Sequence, residues 1–390
     1  MINIINKADC CGCTACASVC THKAITMKPD SLGFLYPEVD INKCTNCGLC
    51  EKVCAFNDNY DKSLNFDKPD AYGARHKDIH EVETSRSGAA FIAISDWILE
   101  QGGVVYGVGY EKHFRVVHKR ATTKEQRNEF KGSKYVQSDL GDTFLQIKND
   151  LKDGKIVLFS GTPCQTAGLN SFIGKKLREN LFLIDIVCHG VPSPYIWRDY
   201  ITYYEKKYNK KIISFDFRNK KDYGWSNHKE TFILDDGTKV SPKCHPYSTL
   251  FCKTIMYRTS CGSCHFCNTI RPSDITIADF WGWEKINPEF NKDDKGVSLL
   301  LINTEKGKEL FKAINKRLYI FQAKLEDCLQ PNLKQASVLN PKSQEFERFY
   351  NKYGFKYVLK KYTNFKLNEK MRIFILKIKK KLRSYIKKIK

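Results

Sequence analysis

Through most of its middle the chain alternates apolar runs of two kinds. In "GAAFIAISDWILEQG" (88–102) the apolar positions follow a helical period, and "GVVYGVGY" (103–110) after it reads as a strand. "DTFLQIKNDLKDG" (142–154) reads as a second helix, while "KIVLFSG" (155–161) and "LFLIDIVC" (181–188) read as strands. This alternation predicts an α/β core with a partly parallel sheet. Later, "IISFDFRN" (212–219), "ETFILDDGTKV" (230–240) and "DITIADFWG" (274–282) add strands with less helix between them, so the second half of the core is expected to be α+β. Near the start, "AITMKPDSLGFLYPEV" (24–39) reads as a strand, a turn at Pro29-Asp30-Ser31 and a second strand. "NDNYDKSLNFDKPD" (57–70), rich in Asn and Asp and closed by Pro69, reads as a linker. The fold class expected is therefore α+β: a small N-terminal domain over 1–60, an α/β-type core over about 70–340, and a C-terminal helix within 350–390. A length of 390 residues accommodates two or three such domains.

The last helix changes the meaning of the charge. The net charge is +22, which by itself suggests nucleic acid, but residues 351–390 hold 15 Lys/Arg against one acid, Glu369, and so carry +14 of it. In "KMRIFILKIKKKLRSYIKKIK" (370–390), Met371, Phe374, Ile375, Ile378, Leu382, Ile386 and Ile389 form one apolar helical face opposite a dense basic one. Such a helix suits an anionic membrane surface, or docking on the core or a partner. The core has no basic aromatic signature, which argues against nucleic acid. No run approaches 18 apolar residues, and the first nine are too short and polar for a signal peptide, so the expected location is cytoplasmic, with the tail peripheral on the inner face of the membrane.

Seventeen cysteines are many for this length, and they are clustered. Cys10, Cys13, Cys16 and Cys20 follow C-x2-C-x2-C-x3-C, and Cys44, Cys47, Cys50 and Cys54 repeat that spacing 34 residues later. Three thiolates two residues apart can wrap three corners of a 4Fe–4S cube, and the fourth of each run reaches the other cube. One cluster then takes Cys10, Cys13, Cys16 and Cys54, and the other takes Cys44, Cys47, Cys50 and Cys20. The repeat resembles a bacterial-type two-cluster ferredoxin domain, although the proline usual after the fourth cysteine is Thr21 in one run and Ala55 in the other. A zinc module is the competing reading, but zinc does not call for the third and fourth cysteines at this spacing. Cys11 falls outside the repeat, and Cys244, Cys252 and Cys328 fit no ligand spacing.

Five stretches of the core stand out: "SRSGAAFIA" (85–93), "KGSKYVQS" (131–138), "SGTPCQTAGL" (160–169), "DIVCHGVPSP" (185–194) and "YRTSCGSCHFCNTIRPSDITIADFWG" (257–282). Together they resemble the beta subunit of coenzyme F420-reducing hydrogenase and of F420-linked dehydrogenases, over about residues 70–330. The resemblance divides the core into an N-terminal-like part (70–150) and a C-terminal-like part (151–340). It implies a flavin-dependent iron–sulfur oxidoreductase that holds FAD, but not that coenzyme F420 is the substrate, since some members do not use it.

On that resemblance Ser85, Ser87 and Gly88, just ahead of a helix, would hold a flavin pyrophosphate; read alone they form an ordinary N-cap. Lys134 would hold a phosphate or a reduced flavin, or be a solvated lysine. Gly161 and Thr162 end a strand, where α/β proteins place their sites. Cys164 and Cys188 also follow strands and would emerge on one sheet edge if those strands are neighbours. With Cys261 and Cys264 they make a candidate third 4Fe–4S site, leaving Cys267 as a spare or the alternative fourth ligand. His189 and His265 stand beside these thiols and could donate to a cluster sulfur or be structural. Arg271, Asp274, Asp279, Trp281 and Trp283 could border a cofactor or be a buried ion pair and core aromatics. No G-x-G-x-x-G occurs, so a Rossmann-type dinucleotide site is not expected. The expected function is oxidoreduction of a small-molecule substrate, with electrons shared with a redox partner protein or low-potential carrier. The alternatives are a non-catalytic subunit feeding a partner enzyme, and a scaffold whose clusters are structural.

Overall fold

The alternation of runs builds one large sheet, shown by a computed structural model that describes residues 1–57, 61–243 and 245–363. The N-terminal unit holds β1 (Ile25–Pro29) and β2 (Leu35–Val39), an antiparallel hairpin. The core strands are β3 (Asp70–His76), β4 (Val104–Tyr110), β5 (Val116–Ala121), β6 (Val157–Gly161), β7 (Leu181–Ile186), β8 (Ile212–Asp216), β9 (Thr231–Leu234), β10 (Lys239–Val240), β11 (Ile275–Asp279), β12 (Ser298–Ile302) and β13 (Leu318–Ala323). Eight of them form a mixed sheet in the order β13-β3-β12-β11-β7-β6-β4-β5, and β10-β9-β8 form a second, antiparallel sheet.

The four central strands β4, β6, β7 and β11 are parallel to one another, with antiparallel strands added at both sides. The expected helix over 88–102 is Ala90–Glu100, and that over 142–154 is Thr143–Lys152. The helix Pro163–Ile173 starts where its sequence directs. Thr162 is the N-cap, Pro163 occupies the first turn, and Gln165 closes a capping box by accepting from the Thr162 N–H at 3.1 Å. Because β6 and β7 pair directly, Gly161-Thr162-Pro163-Cys164 and Val187-Cys188 leave the sheet side by side.

The two cysteine runs repeat in the backbone as well. Gly12 and Asn46, then Thr14 and Gly48, have positive φ at matching places 34 residues apart, turning the chain into the short helices Ala15–Val19 and Leu49–Lys52. The N-terminal unit is inlaid in the core. Cys13, Ala15, Val53 and Phe56 share an apolar cluster with Phe144, Phe159, Leu169 and Phe172, and Leu32 and Phe34 share another with Trp197 and Tyr200. Gly168 makes the closest contact possible, since a Cβ there would lie 2.7 Å from the Cys13 sulfur. The 57–70 segment read as a linker is held by the core in its described part: the Phe66 N–H donates to the Asn303 carbonyl at 2.8 Å, and Asn65 donates to the Arg271 carbonyl. No helix among the described residues is long and apolar enough to cross a membrane. The amphipathic helix expected over 370–390 lies outside the described residues, as does Cys244.

Candidate functional site

Three groups of thiols adjoin one another from the N-terminal unit into the core. The outermost surrounds a small cavity lined by Cys20, Cys44, Cys47 and Cys50, the set read from the interleaved repeat, together with His22 and Asn46. Cys47 is exposed there. Backbone N–H groups point at its sulfurs, from Ile2 to Cys50 at 3.2 Å and from Ala24 to Cys20 at 3.3 Å. Cys10, Cys13, Cys16 and Cys54 make the second group, each within electrostatic reach of others in the set. Burial, aided by neighbouring thiols, pushes the Cys10, Cys16 and Cys54 thiols up. Cys16 and Cys50 share a small apolar core with Ile2 and Cys54, which joins the first two groups.

In the third group Cys164, Cys188, Cys261, Cys264 and Cys267 all line one cavity in the core. All four thiols expected for this site are therefore brought together, with Cys267 among them. Backbone N–H groups again donate to sulfur, from Gly190 to Cys188 and from Val191 to Cys261, each at 3.4 Å. Gly190 has φ +121, and a Cβ on it would strike Tyr257 at 2.4 Å and approach Cys261 at 3.4 Å. Cys264 donates to Cys267, which is lowered to about 7 by that bond. Peptide N–H donors aimed at crowded sulfurs are the surroundings that thiolates and iron–sulfur clusters require. Among the described residues no three His, Cys, Asp or Glu side chains close around a point fit for a single metal ion.

Cys11, which the repeat leaves over, also lines the core cavity and is buried. Its thiol hydrogen-bonds both Cys13 and Cys164, so it stands between the second and third groups. These bonds push Cys11 well up and bring Cys164 down to about 7. Replacing Cys11 with Ser is expected to leave the iron content unchanged, because both partners keep a hydrogen-bond donor. Iron analysis after anaerobic purification checks this, and loss of iron would make Cys11 a ligand.

Next to the third group, a cavity of about 520 Å³ opens at the carboxyl ends of the parallel strands. It shares Cys188, His189, Gly190, Val191 and Asn332 with the cysteine cavity, so these residues separate the two. Ser85, Ser87, Gly161, Thr162 and Lys134 all line it. The Ser85 hydroxyl is buried with no partner, and Ala89 has φ +63 where the helix Ala90–Glu100 begins, a setting that suits an anion. Gly88 does not line the cavity: a Cβ on it would meet the Ala74 carbonyl at 2.2 Å, so it serves the packing of this turn on β3 and β12. The Lys134 ammonium donates to the carbonyls of Glu129 and Lys131 at 2.7 and 2.9 Å while lining the cavity, which leaves one of its three N–H groups for a ligand.

The softer candidates divide. Asp279 and Trp281 line the cavity, where Asp279 accepts from Arg218 at 2.6 Å and from the Trp225 indole at 3.0 Å. Trp281 stacks on Trp225 with centroids 4.5 Å apart. Arg271 and Asp274 are structural, paired with Asp185 at 3.1 Å and Arg178 at 2.9 Å, and Trp283 packs in the core. His265 stacks on Phe56, and His189 bonds the Tyr257 hydroxyl at 2.9 Å while lining both cavities. Sequence reading passes over Arg86 and Arg218, which border the cavity, and Arg258, which borders the thiols, although Arg86 and Arg258 lie inside quoted motifs. A basic residue amid cysteines or serines is the available signal.

Residues 9–57 match the family model of the 4Fe-4S dicluster domain, and residues 154–327 match that of the C terminus of the coenzyme F420 hydrogenase/dehydrogenase beta subunit. No curated protein matches. Among solved structures the chain is similar to a xenon-derivatised F420-reducing NiFe hydrogenase complex from Methanosarcina barkeri, at 15% identity and a TM-score of 0.45, over 75% of this chain and 90% of that one.

Proposed function

We propose that this chain, an iron–sulfur protein of the electron-transfer type that joins a 4Fe–4S dicluster domain to the C-terminal domain of an F420 hydrogenase/dehydrogenase beta subunit, is a flavin-dependent oxidoreductase. The observation that carries the reading is continuity. Two interleaved cysteine sets, a third set in the core and a cavity bordered by Cys188 and His189 follow one another without a gap.

The ligands proposed are Cys20, Cys44, Cys47 and Cys50 for the outer cluster, and Cys10, Cys13, Cys16 and Cys54 for the inner one. Cys164, Cys188 and Cys261 hold a core cluster with Cys264, or with Cys267 in its place. The large cavity would hold FAD, with the unpartnered Ser85 hydroxyl and the helix start at Ala89 available to its phosphates, Ser87 held on the Val297 carbonyl beside them, and Gly161 and Thr162 at the strand ends. When bound, FAD exchanges single electrons with a cluster and two electrons with a substrate. This chain's own part is to bind, to orient and to keep water from the thiols. Arg218 holds Asp279 beside the cavity, and Trp225 backs Trp281.

The outer site, with exposed Cys47, is where a partner protein or low-potential carrier would deliver or collect electrons. The test is the cofactor inventory of anaerobically purified protein. FAD with about 12 irons, four per cluster, is the expected result. Iron without flavin would overturn the enzyme reading in favour of an electron-carrying subunit, and zinc without iron would overturn both.

A further inference from the structure

Arg258 occupies an unusual place for a cation. It is 1% exposed and lies between the second and third groups of thiols. Its Nε donates to the Cys10 carbonyl at 2.8 Å, one terminal nitrogen to the Gln137 side-chain oxygen at 3.1 Å, and the other to the Leu35 carbonyl at 2.9 Å and the Cys10 sulfur at 3.5 Å. The guanidinium also lies 4.2 Å from the Tyr36 ring centroid. Among the described residues it has no carboxylate partner. The other two most deeply buried arginines do: Arg127 pairs with Asp96 at 2.7 Å and Arg271 with Asp185 at 3.1 Å. A guanidinium withdrawn from water without an opposite charge is costly, so a negative charge belongs beside it. What stands beside it is sulfur. Besides the Cys10 sulfur that it bonds, the Cys164 and Cys261 thiols line the cavity that it borders. The backbone is shaped for it too: Gly12 has φ +72, and a Cβ there would sit 2.9 Å from a guanidinium nitrogen.

We propose that Arg258 is the counter-charge shared by the inner and core iron–sulfur sites, and that it biases electrons inward from the outer site toward the cavity. This rests on the cluster assignment proposed above. A positive charge in a low-dielectric interior favours the form of a cluster that carries one more electron. The residues lining the outer cavity include no lysine or arginine, and the Met1 ammonium there is exposed and paired with Glu51 at 3.3 Å, so that site lacks a buried, unpaired cation. The bias acts on an equilibrium: each electron gained inside is one lost by the external one-electron donor, and no bond forms or breaks. Arg258 touches no substrate, so its role is to position charge.

The experiment is an EPR-monitored redox titration of the full chain, purified anaerobically, as wild type, R258Q and R258K. A Cys47→Ser variant identifies the outer signal. In the wild type the two inner midpoints are expected above the outer one. In R258Q the inner midpoints should fall by at least tenfold in the reduction equilibrium, about 59 mV for one electron, with the outer midpoint and the iron content unchanged. R258K, which keeps the charge, should stay near the wild type. The proposal is overturned if the wild-type outer midpoint equals or exceeds the inner ones, a measurement that stands even if R258Q fails to fold. It is equally overturned if R258Q keeps its iron with every midpoint in place, or if R258K falls as far as R258Q. Absence of iron–sulfur signals from the wild type would instead defeat the cluster assignment.

Discussion

Serine in place of Cys188 is expected to remove about four irons and, on the function proposed above, to cut the flavin off from the N-terminal clusters. Cys188 is the one cysteine among the described residues that lines both the core thiol cavity and the large cavity at the strand ends. It leaves the sheet directly after β7, accepts from the Gly190 N–H, and lies within electrostatic reach of Cys164, Cys261 and Cys267. A hydroxyl is a poor ligand for iron where a thiolate is needed, so a cluster bridging these residues should not assemble in Cys188→Ser. The eight N-terminal ligands are untouched and their iron should remain. The readouts are iron per chain, and bleaching of the flavin by a low-potential one-electron donor. A variant that keeps its full iron, or whose flavin bleaches through the N-terminal clusters at the wild-type rate, would mean that electrons take another route.

Arg271→Met should cost about 3–5 kcal/mol, a large part of the 5–15 kcal/mol or so that holds a typical protein folded. Asp185 on β7 is fully buried, burial pushes its carboxyl above the usual range, and Arg271 at 3.1 Å is the cation beside it. Arg271 also donates to the Ile186 carbonyl at 2.9 Å and to the Phe266 carbonyl, and so fastens the Cys261–Cys267 segment to the end of β7. Loss of the arginine strands the carboxylate and frees that segment together. A steep fall in melting temperature of the anaerobic holoprotein is expected, with loss of core iron. The double variant Arg271→Met/Asp185→Leu should recover part of the loss, since it leaves no orphan charge. A single variant melting at the wild-type temperature would sink this account.

The cysteine repeat is legible because its spacing is dictated by the geometry of the group it wraps, and the backbone repeats it down to the signs of φ at Gly12, Asn46, Thr14 and Gly48. The meeting of Cys164 and Cys188 is legible on one condition, that β6 and β7 be neighbours, and they are. What the sequence conceals is set by contacts distant along the chain. β3 pairs with β12 and β13, both more than 200 residues on, and nothing local in "AYGARH" announces it. The direction of a long flexible side chain is equally hidden. Lys134 lies in a motif that suggests phosphate, yet its ammonium is engaged by two carbonyls. The spacing sets Cys11 outside the repeat, but it cannot say that this thiol lies against Cys164 of a different domain.

That contact belongs to a wider seam in which Cys13 presses on Gly168, Phe56 stacks on His265 and Leu32 is gripped by Ser193 and Tyr195. A unit held so firmly cannot act as a swinging arm that visits a donor and then returns. Internal electron hops should therefore run at a pace indifferent to solvent viscosity and protein concentration. On the function proposed above, any throttle on turnover then acts at the two ends of the chain of centres, where a carrier would arrive and where a substrate would be admitted.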